Sequence, residues 1–275
     1  MLSALLIALR EGLEAALIIG IVLGYLRQIG RGDRALYAWA GVAVAVLFSV
    51  TFALGMRFIG AELQTPYEQI FEGTTLFLAV AILTWMIFWM RYQGKFMKSD
   101  IERKIQSVVT SGETWGMFGL AFFSVFREGL ETALFLAANA FAADGMGTLI
   151  GALLGLAIAV AAGVLIYNYA VHLDITLFFN VTSILLVVFA AGLVARGVAE
   201  YQEIGWLPIL TGTAWDTSAW LTIDSALGSI LQALVGYNDK PSVLQVISYI
   251  GYWVIVVQAI RWFTQRLGAR LKQRT

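Results

Sequence analysis

The chain has 275 residues, is 60% hydrophobic and 13% charged, and balances 18 basic against 18 acidic side chains. A soluble domain is nearer about half apolar and about a quarter charged, so this composition, with a mean hydropathy of +0.80, excludes an ordinary soluble domain. Zero net charge offers no basic face to nucleic acid, and the absence of cysteine excludes disulfides, thiolate metal sites and cysteine nucleophiles.

Apolar runs of about 20 residues recur along the chain, which predicts an all-α polytopic membrane protein with a single transmembrane domain over 1–275 and no soluble module. The first span covers about Leu2–Leu26; no basic segment precedes Leu2–Leu9, so it reads as a span and not a cleavable signal. Inside it lies R-E-G-L-E-A-A-L, from Arg10 to Leu17. A basic connection with Arg27, Arg31 and Arg34 leads to a second span, about Leu36–Ile59. The third, about Gln69–Met90, opens beside Glu68 and Glu72, which share a helix face. Arg91, Lys95, Lys98, Arg103 and Lys104 follow, and Ile101, Ile105 and Val108 are spaced for a short amphipathic helix lying on the membrane surface.

The fourth span, about Trp115–Phe141, carries R-E-G-L-E-T-A-L from Arg127 to Leu134. The fifth, about Thr148–Val171, ends at His172, the only histidine, read as an interfacial residue with Asp174 nearby. The sixth covers about Ile175–Val198. An outer stretch, about 200–245, holds Trp206, Trp215 and Trp220 and a short interfacial or re-entrant helix over Ala226–Val235. The last span, about Val246–Phe263, precedes a tail with Arg266, Arg270, Lys272 and Arg274.

The distribution of lysine and arginine places the N-terminus outside and the C-terminus inside, as seven spans require. The opposite loops are acidic, with Glu62, Glu200, Glu203, Asp216, Asp224 and Asp239, and all three prolines fall there. Spans one to three (about 1–92) correspond to spans four to six (about 115–199), and F-E-G-T-T at Phe71–Thr75 has an echo in F-N-V-T-S at Phe179–Ser183. A repeat of three spans must enter the membrane inverted, which predicts a midplane site between the copies and alternating access.

An ionised side chain at the bilayer centre costs roughly 2.5–3.5 kcal/mol on insertion scales, and each motif brings three. At about 100° per residue, Arg10, Glu11 and Glu14 share one arc of roughly 100°, as do Arg127, Glu128 and Glu131. Gly12 and Gly129 leave room for a neighbouring helix. Four carboxylates against two guanidinium groups leave a net charge of −2, which a cation or protons must supply. Oxygen ligands suit Fe³⁺, Mn²⁺, Mg²⁺ or Ca²⁺ and also take Fe²⁺. The competing reading, salt bridges that only lock helices, accounts for one glutamate per arginine and leaves the second unexplained. Glu72 and Glu68 are candidates for an entry site. Gly20/Gly24 and Gly151/Gly155 read as small-residue helix packing.

With R-E-G-L-E in spans one and four of seven, the chain resembles the oxidase-dependent iron permease family, which includes fungal high-affinity permeases and the bacterial EfeU type. The likeness also covers F-E-G at Phe71–Gly73 and the G-Y-x-x-x-P-S stretch at Gly236–Ser242, and its short loops resemble the bacterial branch. The resemblance implies Glu11, Glu14, Glu128 and Glu131 as iron-handling residues, with Arg10 and Arg127 beside them orienting and balancing charge. It implies iron as transported substrate, no cofactor, the inner membrane of a bacterium, and an extracytoplasmic partner that oxidises or binds iron. A permease for Pb²⁺ or Mn²⁺ is the near alternative. An intramembrane enzyme such as a polyisoprenyl-diphosphate phosphatase would need a Ser/Arg phosphate-gripping motif, and none is present; a cation sensor without flux is the third reading.

Overall fold

Long apolar runs free of proline form helices of 25 to 30 residues, and Pro66, Pro208 and Pro241 all lie between them. The computed structural model describes residues 1–93, 101, 103–107, 114–142, 145–169 and 175–272. Its elements are α1 (Leu2–Gln28), a 3-10 turn (Gly32–Arg34), α2 (Ala35–Glu62), α3 (Tyr67–Gln93), α4 (Thr114–Ala142), α5 (Gly145–Tyr169), α6 (Ile175–Glu203), α7 (Ala226–Val235) and α8 (Val243–Lys272). Among the described residues, five segments are long and apolar enough to cross a membrane: Gly32–Gly60, Tyr67–Phe88, Gly145–Leu165, Val181–Glu203 and Val243–Trp262. The 27-residue α1 and 29-residue α4 differ from these in carrying the three-charge motif.

The chain divides into two compact units, one of Met1–Leu63 with Arg91–Ser183, the other of Gln64–Met90 with Ile184–Thr275. In the first, α1 packs along α5, α2 packs along α4, and α1 crosses α4. Small residues make these seams close. A side chain at Gly151 would run into the Met1 carbonyl, and one at Gly155 into the Leu5 carbonyl. One at Gly163 would come within 2.9 Å of Ala16. The packing expected of Gly151 and Gly155 is therefore present, whereas Gly20 and Gly24 have no atom near enough to touch an added Cβ.

Away from that seam, Val22, Leu23 and Leu26 of α1 form a buried cluster with Ala38, Ile105, Met117 and Ala121. Ile105, in the stretch expected to form a surface amphipathic helix, is buried in this cluster, and Ile101 is partly buried against it. Val108, His172 and Asp174 lie outside the described residues.

In the second unit, Ile87, Val187 and Val256 bring α3, α6 and α8 together. The Thr84 and Tyr252 hydroxyls meet at 2.9 Å. Gly73 lies against the Tyr201 ring and Gly197 against Phe77, so α3 and α6 cross closely. The short helix α7 starts where Ser225 Oγ accepts the Gly228 N–H at 3.0 Å and stops at Gly236, whose φ of 70° suits glycine. It spans the residues expected from the sequence. The loop around it is tied by Ala214 and Thr217 N–H groups donating to Pro241 and Asp239 carbonyls, both at 2.9 Å.

The end of α6 departs from the sequence reading. Glu200 and Glu203 belong to its last turn instead of the outer loop. Arg196 Nε lies 2.9 Å from Glu200 Oε1, an i,i+4 pair that lets the helix continue past Val198.

Candidate cation site

Each motif folds as helix because its charged residues are good helix formers and its apolar residues continue the membrane-length run. Helical spacing then gathers Arg10, Glu11 and Glu14 on the buried side of α1, where all three are at most 2% exposed. Arg10 Nη1 lies 3.0 Å from Glu11 Oε1 and Nη2 lies 3.1 Å from Glu14 Oε1. The second copy differs. Arg127 Nε is 2.9 Å from Glu131 Oε1 but 3.9 Å from Glu128 Oε1, and its side chain is 41% exposed. One arginine is thus a buried counter-ion to two glutamates, while the other holds chiefly one from the rim.

The two glycines decide how closely other helices approach. A Cβ on Gly12 would stand 2.7 Å from Ala159 Cβ of α5, and one on Gly129 would collide with Ser49 Oγ of α2. Ser49 is itself held by its hydroxyl donating to the Ala45 carbonyl at 2.9 Å.

Where α1 crosses α4, one carboxylate oxygen each from Glu11, Glu128 and Glu131 lie within 4.8 Å of one another. Glu14 stands beside them, within electrostatic reach of Glu131 and Arg127. Oε2 of Glu11, Glu128 and Glu131 are buried and make no hydrogen bond to the protein. Orphaned oxygens of this kind are costly to bury, more so when charged. Three carboxylates this close offer the kind of oxygen donors that a hard or borderline cation takes. All six motif residues named from the sequence are therefore brought together.

The entry candidates lie in the second unit. Glu72 and Glu68 are half-buried on α3, and the charges acting on Glu72 include Glu200, Glu203 and Arg196 of α6 as well as Glu68. Glu200 is 2% exposed. Arg196 and Glu200 were missed as site residues in the sequence, although R-G-V-A-E repeats the Arg/Glu spacing of the motifs. In the outer loop, Asp216 accepts hydrogen bonds from the Ser218 hydroxyl at 2.6 Å and its N–H at 3.0 Å. Those bonds, with Lys240 at 3.3 Å, hold its carboxyl below the ordinary value of 3.8.

Residues 1–271 match the iron permease FTR1 family. The chain belongs to that family. Its members are permeases, which decides against the intramembrane phosphatase. Among similar proteins is the ferrous iron permease EfeU of Yersinia pestis, 37% identical over 252 residues that cover 90% of this chain and 89% of the relative. The ferrous iron permease EfeU of Yersinia pseudotuberculosis is also 37% identical, covering 90% of this chain and 88% of its own. That of Escherichia coli O6:K15:H31 is 36% identical over 90% of this chain and 91% of the relative. No solved structure matches the chain.

Proposed function

We propose that this chain imports iron through a site made by Glu11, Glu14, Glu128 and Glu131, with Arg10 and Arg127 orienting the carboxylates. The observation that carries the reading is the meeting of three glutamates from two helices within 4.8 Å, each with an oxygen that no protein group satisfies. A net charge of −2 over the six groups favours a divalent or trivalent cation over a neutral substrate. Similar proteins named as ferrous iron permeases support Fe²⁺ as the transported ion. Oxygen donors also accept Fe³⁺, which a partner that oxidises or binds iron outside the membrane would present.

The reading includes seven spans with the N-terminus outside, in the inner membrane of a bacterium, arranged as two inverted repeats. The contact pattern of the first unit supports the repeat: α1 with α5 and α2 with α4 are corresponding pairs, and α1 with α4 is the pair on the axis. The glycines agree, since Gly12 meets α5 and Gly129 meets α2. Glu72 and Glu68 collect the ion before it reaches the buried carboxylates.

Uptake of radiolabelled iron into liposomes holding the purified chain tests this reading. Ascorbate-reduced Fe²⁺ and citrate-held Fe³⁺ would be supplied separately, with unlabelled Mn²⁺ and Pb²⁺ as competitors. Saturable uptake of Fe²⁺ above empty liposomes supports it. Uptake of Mn²⁺ or Pb²⁺ in preference to both iron forms would replace iron as the substrate.

A further inference from the structure

The first unit repeats itself at the level of single contacts. Arg10 and Arg127 are 117 positions apart, and the same shift carries Met1 and Leu5 of α1 onto Phe118 and Phe122 of α4. A Cβ on Gly151 of α5 would meet the Met1 carbonyl and the Leu5 nitrogen, and one on Gly41 of α2 would meet the Phe118 carbonyl and the Phe122 nitrogen. Likewise Gly12 faces Ala159 of α5, and Gly129 faces Ser49 of α2. A shift of 110 therefore carries Gly41 and Ser49 onto Gly151 and Ala159. With both helix pairs in one register, equivalent side chains on the two flanks of the carboxylates can be compared directly.

The two flanks differ. Antiparallel α1 and α4 meet at Ser3 with Asn139 and again at Glu11 with Glu128 and Glu131. Between those levels Ile7, Phe135 and Ala138 are fully buried. Asn139 Nδ2 donates to Ser3 Oγ and Thr148 Oγ1 donates to Asn139 Oδ1, both at 2.7 Å. On the other flank the equivalents of Ile7, Phe135 and Ala138 are Ser124, Ile18 and Ile21, and all three are only half-buried. Farther on, Val22, Met117 and Ala121 close the seam again, so the difference lies beside the carboxylates themselves. The arginines follow their flanks. Arg10 is sealed, whereas Arg127 is 41% exposed and its partner Glu131 is more exposed than Glu14. The motifs differ only at Ala15 and Thr132, so it is the flank and not the motif that separates the two arginines. A guanidinium bared at membrane depth must be met by water, because hydrocarbon does not solvate it. We infer that the structure holds the cation site shut on the Arg10 flank and reachable by water on the Arg127 flank, and that transport exchanges the flanks. In the other state Arg127 is the buried clasp and Arg10 the exposed rim. Inverted copies make the second state available, because swapping their conformations reverses the side that is open. This inference rests on the transport reading above and adds the state of the site and the residues that change places.

Thiols at equivalent positions test the exchange. The chain has no cysteine, so Ile7→Cys and Ser124→Cys each introduce one thiol at repeat-related sites. The full chain in right-side-out and inside-out membrane vesicles would be treated with a charged, membrane-impermeant methanethiosulfonate, and modification rates measured. Ser124→Cys should react at least about tenfold faster than Ile7→Cys, since a minor state is populated at about 10% or less. It should react from the membrane face opposite the one that holds the α1 N-terminus. A wedge on the closed flank, Ile7→Trp, overpacks the present state and should drive the exchange, so Ser124→Cys in that background should react about fivefold slower or less. Ala138→Leu, a milder wedge on the same flank, decides the matter should the Ile7→Trp protein not fold. A contact that only packs helices would loosen locally and leave the Ser124→Cys rate unchanged or raised in a folded wedge variant, and that result would overturn the inference. Equal rates for the two thiols, or reaction of Ser124→Cys from the α1 N-terminal face, would overturn it as well. Labelling needs no iron, so the predicted rates without iron uptake count against the transport reading alone, and iron uptake without those rates counts against the exchange alone.

Discussion

Glu11 on α1 and Glu128 on α4 hold the same place in two copies of one motif, and their carboxylates lie within 4.8 Å of each other. Like charges that close repel unless something positive stands between them. Arg10 offsets one side, at 3.0 Å from Glu11, while Arg127 is 3.9 Å from Glu128 and directs its closer contact to Glu131. The cluster is thus least compensated where the two helices face each other, which is where a cation would be held.

The unequal arginines give the first prediction. Arg10→Met leaves two buried carboxylates without their counter-ion, and breaking a buried pair costs about 3–5 kcal/mol. Arg127, 41% exposed, is screened by its surroundings, and Arg127→Met should cost about 1 kcal/mol. Thermal unfolding of the two purified variants in one detergent compares them; equal losses would contradict the asymmetry.

Gly129 is expected to admit no side chain while Ser49 faces it. Gly129→Ala should destabilise by about 1–3 kcal/mol through overpacking. Ser49→Gly removes both the Oγ and the Cβ that the new methyl would meet, so the double variant should recover part of the loss. A double-mutant cycle measures the coupling, and strict additivity would show that the two residues do not limit the approach of α2 to α4.

Much of this arrangement was legible in the chain, because charges repeated at helical spacing inside apolar runs have few structural outlets. The helix α7 and the packing of Gly151 and Gly155 were legible for local reasons: a short apolar run over Ala226–Val235, and small residues four apart. Gly20 and Gly24 have the same spacing and no neighbour, since the sequence of one helix does not say which helix will come to it. Arg196 and Glu200 were hidden because acidic residues after an apolar run look like a loop. Their i,i+4 spacing was the available signal. Ser3, Asn139 and Thr148 gave none, as single polar residues on three helices become a group only when the helices pack.

Glu72 is expected to act on capture more than on turnover. Glu72→Gln lowers the negative charge at the proposed entry, so the concentration for half-maximal iron uptake should rise about threefold or more. The maximal rate should change less. Initial uptake rates across iron concentrations separate the two, and a fall in maximal rate alone would remove Glu72 from the entry.

Asp216 should titrate below the ordinary 3.8, because Ser218 and Lys240 favour its ionised form. Its folded-state value is depressed, so the contribution to loop stability is present above pH 3.8 and is lost as pH falls through the lower folded value. Carboxyl-carbon NMR of labelled aspartate checks this, with Ser218→Ala expected to move the titration upward. A titration at or above 3.8 in the unaltered chain would contradict it.

The most direct measurement of the central claim is iron binding and uptake by Glu11→Gln and Glu128→Gln beside the unaltered protein. Glutamine keeps the shape of glutamate and removes the charge. Each variant should remain folded, lose iron binding by at least about tenfold, the worth of about 1.4 kcal/mol, and lose uptake to a similar degree. Folded variants that bind and carry iron as the unaltered protein does would contradict the claim that these carboxylates hold the cation.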